Sequence, residues 1–514
     1  MRYTLRAVLA VAMLLGVYAL ALGVVGGLLY AVYQVVVHGF TGIALVKLVL
    51  LAGVVSVAVG RGLWAGLRRH GDDDEPGVVL TELDQPRLWT EVCYLAEQVD
   101  TRPPDEIRLV PDVNAAVSET SRWLGLVPGV RRMYIGVPLL VGLTSLQMRS
   151  VLAHELGHYS GRHTSLAGVT YRGQESLRRI ILHLGPGSWL GRLFGWYARG
   201  YVAVASSVNR RQELEADAHG ARLAGKGVAI SALNELPAIA AGWSFFVQNY
   251  ASHGSEQGRR PRELFEGFQQ LWATPERQLQ LDEVRAEPAP VERSVYDTHP
   301  TTPERVDFLS RLDAPDEADE SGPAIELLHH APATLRRLEE WMYAGTPVVA
   351  AQWEELVTAG LASQTRSNAA ALIESMEQGG DSKGDLGKVM EALRLGWAAD
   401  LAAPLMPEGA SDDERRLVAG RLVGDLMADA LIQSGRASYR FSWADVRPLV
   451  DREGAPLDPW GPAHEAAQSP EAVRALFEWC RKHQVPTDYR PAPAPEDTPP
   501  RPESTSKSRT PVRT

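Results

Sequence analysis

The sequence predicts a mainly α-helical protein with a small β-sheet. A central α+β domain follows a transmembrane helical hairpin and precedes an all-helical domain. Three observations predict this. Two long apolar runs, 7–37 and 43–60, fill the N-terminus. Short strand-like runs stand among helical patterns between residues 85 and 160. Alanine- and leucine-rich helical patterns occupy 323–483. The expected divisions are 1–70 for the hairpin, 71–320 for the α+β domain, 321–484 for the helical accessory domain and 485–514 for a disordered Pro-rich tail.

Residues Ala7 to Val37 carry no charge and outrun the apolar core of a signal peptide, so they read as a retained transmembrane helix. The second run, Ile43 to Gly60, holds Lys47 near its outer end, where the amine reaches the interface. A turn at His38-Gly39-Phe40-Thr41 joins the two. Arg2 and Arg6 precede the hairpin and Arg61, Arg68 and Arg69 follow it, which places both ends in the cytoplasm and the bilayer among the partners. No organelle address is visible, so a bacterial cytoplasmic membrane is the expected location, with everything after residue 70 at its cytoplasmic face.

Asp72-Asp-Asp-Glu-Pro76 reads as a polar linker. A helix follows over about 85–99, with Leu88, Val92, Leu95 and Ala96 as its apolar face, stopped by Pro103 and Pro104. Strands are expected at Glu106–Val110 and Arg132–Val137.

The next helix carries the chemistry. Thr144 and Gln147 fit a capping box, and Met148, Val151, Leu152, Leu156 and Tyr159 recur at helical spacing as its core face. Within it lies His154-Glu155-Leu-Gly-His158, an HExxH motif. Residues four apart share a helix face, so both imidazoles can bind one metal ion from the same side, with Glu155 beside a metal-bound water as general base. Five residues alone are a weak signal, since HExxH arises by chance in long chains; the rest of the sequence has to support it.

A catalytic zinc takes three protein ligands and leaves one position open. The pattern HExxHxxGxxH is excluded: Gly161 fits, but Thr164 stands where its last histidine belongs, and His163 is one residue off. The other source is a glutamate on a later helix, and Asn209-Arg-Arg-Gln-Glu-Leu-Glu-Ala-Asp217 offers one. Glu213 and Asp217 share a face; Glu213 suits the third ligand, and Asp217 suits a hydrogen-bond acceptor that fixes a ligand histidine. Glu215 points about 160° away. The competing reading is a solvated face paired with Arg210 and Arg211.

Met148-x-x-Val-Leu-Ala-His-Glu-Leu-Gly-His158, then Asn209-Arg-Arg-Gln-Glu-Leu-Glu-Ala-Asp217, then Thr298-His-Pro300, resembles the HtpX-like and CAAX-prenyl-protease-type membrane zinc metallopeptidases. Asn209 replaces the usual serine of the second motif, and Asn114-Ala115 resembles a segment upstream of the active-site strand. The resemblance covers about 78–310. It implies a gluzincin fold, one zinc held by His154, His158 and Glu213, Glu155 as catalytic base, Asp217 in support, and His299 facing the zinc to steady substrate or the tetrahedral intermediate. A turn with a structural histidine is the alternative for His299. By zincin analogy, substrate adds as a strand along an edge between Asn114 and Gly136. Related enzymes often have further membrane segments between the two zinc motifs. Here Ser188 to Ser207 is apolar but holds Arg192 and Arg199, which favours a soluble or interfacial helix.

Gly225 and Gly227 mark the end of the second zinc helix. Trp243, Phe245, Phe246 and Tyr250 read as core, and His329-His330 as structural, because adjacent histidines diverge on a helix. A net charge of −11 argues against nucleic acid as a partner, and two distant cysteines, Cys93 and Cys480, fit a reducing compartment. The expected function is a membrane-anchored zinc endopeptidase acting on proteins or peptides in membrane-protein quality control or regulated cleavage, with a protein partner for the C-terminal helices. The rivals are a catalytically silent membrane-tethered scaffold and a prenyl-protein processing protease.

Overall fold

The structure, a computed structural model, describes residues 2–39, 42–67, 75–122, 127–160, 187–286, 300–316, 318–378 and 383–492, with a few positions between 178 and 185. The chain divides into two compact units: Met1–Ser244 with Phe268–Ala344, and Phe245–Gly267 with Gly345–Thr514.

The first unit begins with α1 (Arg2–Val37) and α2 (Ile43–Leu67). Val17 and Ala21 of α1 and Ala52 and Val55 of α2 are buried. Leu15, Leu22, Leu29 and Val36 recur every seven residues on an exposed apolar stripe of α1, and Val46, Leu50, Val54 and Val57 form another on α2. Such stripes cost free energy in water and suit hydrocarbon, so the pair is built as a membrane anchor is built.

The four-stranded sheet has the order β1 (Val78–Leu80), β2 (Glu106–Val110), β4 (Val127–Gly136), β3 (Ala115–Arg122). Only β2 and β4 run parallel. β2 matches the strand expected from sequence; β4 begins earlier than expected and ends at Gly136. A Cβ there would lie 2.0 Å from the carbonyl oxygen of Asp112, so only glycine fits. Its amide donates to the Asn114 carbonyl at 2.7 Å, which ties the start of β3 to the end of β4. β3 is left at the sheet edge.

Helix α3 (Pro86–Gln98) starts with proline, whose missing N–H costs nothing at that position, and buries Leu88, Val92, Leu95 and Ala96. After the short α4 (Val137–Gly142) comes α5 (Ser145–Gly157). Its capping box forms: Thr144 Oγ1 accepts from the Gln147 amide at 3.1 Å, and Gln147 Oε1 accepts from the Thr144 amide at 2.9 Å. Met148, Leu152 and Leu156 are fully buried.

Helix α6 runs unbroken from Trp189 to Ala224, about 54 Å. Ser188 caps its start, and Gly225, at φ +98°, ends it in a conformation that favours glycine. The segment expected as a soluble or interfacial helix is thus the first half of the helix that carries Glu213 and Asp217. Leu190, Phe194, Ala198 and Tyr201 face Val17 and Ala21 of α1, and the Tyr197 hydroxyl donates to the Met13 carbonyl at 2.5 Å. Arg192, Arg199, Trp189 and Trp196 are exposed. The second half of α6 crosses α5 closely: a Cβ on Gly157 would lie 3.2 Å from Ala216 Cα, and one on Gly220 would lie 2.8 Å from the Ser150 carbonyl oxygen.

Helix α7 (Lys226–Phe246) follows, then α8 (Leu264–Trp272), α9 (Pro275–Ala286) and α10 (Thr302–Ser310). Helix α11 (Ala331–Met342) completes the first unit. The Ala324 amide donates to the Leu143 carbonyl at 2.9 Å, and Gln85 Nε2 donates to the His329 carbonyl at 3.0 Å. His330 takes φ +50° at the head of α11, and no metal-binding group among the described residues includes either adjacent histidine.

In the second unit, β5 (Arg259–Pro261) pairs in parallel with β6 (Val349–Ala351). Around them lie α12 (Trp353–Gln378), α13 (Leu386–Arg394), α14 (Ala398–Ala402), α15 (Asp412–Gln433), the hairpin β7 (Ala437–Tyr439) and β8 (Leu449–Asp451), α16 (Trp460–Gln468) and α17 (Val473–Lys482). Phe246, Tyr250, Trp353 and Trp443 pack as an aromatic core, as expected of Phe246 and Tyr250. α15 is the central helix, buried from Leu422 to Leu431. Its Asp425 is fully buried and accepts from Asn368, Trp460 and Arg447. Asp429 accepts from the Tyr489 hydroxyl at 2.6 Å. Buried carboxylates need such partners.

Candidate metal centre

The crossing of α5 and α6 brings His154, His158 and Glu213 to one point. Their donor atoms lie within 4.8 Å of one another. His154 Nε2 is 3.2 Å from His158 Nε2, and each is 3.6 Å from an oxygen of Glu213. Ligands about 2.0–2.1 Å from a tetrahedral metal stand about 3.3–3.4 Å apart; the two imidazole nitrogens are near that spacing, and Glu213 turns Oε2 toward His154 and Oε1 toward His158. Two neutral imidazoles and one carboxylate suit zinc. The donor set and its spacing both fit that ion.

Asp217, one turn after Glu213, is buried, and its Oδ1 lies 2.9 Å from His154 Nδ1. A carboxylate only accepts, so Nδ1 carries the hydrogen and Nε2 keeps its lone pair toward the metal position. Arg305, from α10, grips the same carboxylate: Nε donates to Oδ2 at 2.8 Å and Nη2 to Oδ1 at 2.5 Å. Nη2 is also 3.4 Å from His154 Nδ1, but that nitrogen is committed to the nearer Asp217. Burial opposes ionisation of Asp217, yet the hydrogen bonds from Arg305 and His154 outweigh it and hold the carboxyl at about 2.

Tyr159 directly follows the second histidine. Its hydroxyl donates to the Val117 carbonyl on β3 at 2.7 Å, and its carbonyl accepts from Thr101 Oγ1 at 2.8 Å. Burial pushes its hydroxyl up to about 12, so it stays a neutral donor. The buried Arg131 lies over its ring at 4.6 Å and binds Glu119 of β3 through Nε and Nη2. These contacts lock the edge strand to the helix that carries the two histidines.

Glu155 lines a cavity beside the three donors, with Arg305 and several residues of α7. Glu215 points away, as expected, and pairs with Arg211 at 2.8 Å on the surface. His299 lies outside the described residues. Sequence reasoning missed Arg305, which stands five residues after the Thr298-His-Pro300 segment. The available signal was Asp217 itself, because an acid buried behind a ligand histidine calls for a cation.

Two helices crossing at an HExxH face, a glutamate from the second helix and an acid behind the first histidine are the arrangement that the resemblance to zinc metallopeptidases implies. Residues 111–313 match the model for peptidase family M48. The chain is also similar to a protein named "Protease HtpX homolog" from Methylacidiphilum infernorum (isolate V4), at 32% identity over 181 residues, covering 31% of this chain and 58% of that relative. Residues 111–313 are thus similar to the M48 metallopeptidases, over about two fifths of the chain. The chain spans about three fifths of the length of the curated relative it matches. No solved structure matches it significantly.

Proposed function

We propose that the protein is a membrane-anchored zinc endopeptidase whose active site works at the cytoplasmic face of a bacterial membrane, on membrane or membrane-associated proteins. The observation that carries this is the convergence of His154, His158 and Glu213 within 4.8 Å, with Glu155 on the adjoining cavity.

In this reading the two imidazoles and Glu213 hold the ion, and Asp217 and Arg305 keep His154 in the tautomer that binds it. Bound zinc polarises the scissile carbonyl and lowers the pKa of water toward about 7. Glu155 removes a proton from the attacking water and delivers it to the departing amine nitrogen. The edge strand β3 receives substrate backbone as an added strand, which fixes the peptide in extended form beside α5. The apolar stripes of α1 and α2, with the first half of α6 packed on α1, support an anchor that keeps this site near membrane substrates. A cytoplasmic orientation rests on the arginines that flank the hairpin. The second unit is read as a partner- or substrate-selecting module.

Metal analysis and casein cleavage on the full-length protein test the reading. One zinc per chain and cleavage by wild type are expected; Glu155→Gln should keep the zinc and lose at least about 10³-fold in turnover, whereas Glu213→Ala should lose the metal. A zinc-loaded wild type that cuts nothing would favour the scaffold. Absence of bound zinc would end the proposal.

A further inference from the structure

The first half of α6 has two faces. Leu190, Phe194, Ala198 and Tyr201 are buried against α1. Around the helix from them lie Trp189, Arg192, Leu193, Trp196 and Arg199, all exposed. At 3.6 residues per turn these five fall within about 120° of one another, so they form one continuous stripe. Trp189 is 64% exposed and Trp196 73%, a large apolar area to leave in water. Neither arginine has an acidic partner among the described residues. The surrounding sequence, 161–208, holds six arginines and a single acid, Glu175, in a chain whose net charge is −11.

Contacts with α1 set the depth of the stripe. The Tyr197 hydroxyl donates to the Met13 carbonyl at 2.5 Å and leaves no room for a Cβ on Gly16. A Cβ on Gly200 would lie 3.7 Å from Met13 Cε. Later residues of α6 thus meet earlier residues of α1, and the two helices run antiparallel. Trp189 then stands level with about Ala21 to Val24, because eight residues of helix span about 12 Å. α1 and α2 leave one turn, and the apolar run of α2, residues 43–60, covers about 27 Å. The same distance along α1 from Val37 ends at about Leu20. Trp189 therefore sits at or just inside the hydrocarbon edge, Arg192 at the edge and Arg199 outside it. Helix side chains lean toward the helix N-terminus, which turns Arg199 toward the headgroups.

We propose that this stripe binds anionic phospholipids of the leaflet at the charged end of the hairpin. Trp189, Leu193 and Trp196 lie at the acyl boundary, and Arg192 and Arg199 hold headgroup phosphates. The inference rests on reading α1 and α2 as a membrane anchor and is independent of the peptidase chemistry. Indole suits that boundary, since its ring is apolar and its N–H finds an acceptor there. An interfacial helix sinks its apolar face by about 5–10 Å and keeps its cations among the headgroups, which matches the depth and order of these five residues. A neutral headgroup would leave both arginines without a net counter-charge, whereas an anionic one supplies it.

Full-length protein reconstituted in phosphatidylcholine vesicles tests this, by comparing the association of spin-labelled phosphatidylglycerol with that of spin-labelled phosphatidylcholine. Wild type should prefer phosphatidylglycerol by about 3- to 30-fold at low salt, less as salt is raised. Arg192→Gln with Arg199→Gln should lose at least about half of that preference, whereas Arg192→Lys with Arg199→Lys should keep it, since a point charge suffices for phosphate. A glutamine pair with wild-type preference would place the lipid on other arginines and overturn the proposal. Spin labels on Trp189→Cys and Arg199→Cys, each with Cys93→Ser, read the depth. Oxygen should relax the label at 189 more strongly, and a water-soluble nickel chelate the label at 199. Equal access of the chelate to both would overturn the seat in lipid. So would a label at 189 shielded from both reagents, which would mean that protein, a second copy included, covers the stripe. Release of the chain from vesicles by alkaline carbonate would remove the anchor and this site together. Casein cleavage keeps the readings apart: lost preference with cleavage intact counts against this site alone, and lost cleavage with preference intact counts against the peptidase alone.

Discussion

Asp217, which is buried, pairs with the half-buried Arg305, and neither is among the three donors that converge. The pair matters because His154 can offer Nε2 to a metal only while Nδ1 keeps its hydrogen, and Asp217 holds that hydrogen at 2.9 Å. Arg305 in turn holds both oxygens of Asp217, so the carboxylate cannot rotate away. Arg305→Ala should leave a buried, uncompensated acid and weaken zinc affinity by about 10- to 100-fold. Arg305→Lys keeps the charge but not the two-pronged grip, and should fall between. Competition with a chromophoric chelator measures both. Wild-type affinity in Arg305→Ala would show that another group orients Asp217.

Packing of α5 against α6 positions the three donors, and it depends on small residues at the crossing. Gly220 faces the backbone of Ser150, and Gly157 faces the backbone of Ala216. Backbone cannot swing aside as a side chain does. Gly220→Ala should therefore push the helices apart, lower stability by about 1–3 kcal/mol and loosen the donor triangle. Thermal unfolding with and without zinc reads both effects. A protein that melts as wild type and keeps its zinc affinity would mean the crossing has slack. The same helix also carries Phe194, Ala198 and Tyr201 against α1, so one rigid element joins the anchor to Glu213.

Across the whole molecule, the two thiols report on different units. Cys93 is exposed on α3 of the first unit, whereas Cys480 is buried in α17 of the second. Burial pushes the Cys480 thiol from its ordinary 9.0 up to about 12. Thiolate is the reacting form, so a thiol reagent at about pH 8 should label Cys93 and leave Cys480 until the second unit opens. Labelling of both at equal rates in native protein would contradict the buried placement. The sign for stability follows: a thiol whose pKa is raised by folding stabilises the fold below about 9 and loses that contribution as pH climbs toward about 12.

Local signals determined much of this protein. The capping box at Thr144, the i,i+4 spacing of His154 and His158, the shared face of Glu213 and Asp217, the uncharged run of α1 and the terminal Gly225 are all short-range features. Each acts through backbone geometry a few residues away, which is why it is legible in sequence. Tertiary structure alone decided the rest. The merger of 188–207 into the helix that carries Glu213 depends on packing against α1, nearly two hundred residues earlier. The return of 323–344 to the first unit depends on hydrogen bonds to Leu143 and Gln85. Arg305 meets Asp217 across 88 residues, and the cavity beside them draws its lining from α5, α6, α7 and α10. No periodicity encodes such encounters, because they are fixed by which surfaces bury one another and not by what neighbours what along the chain.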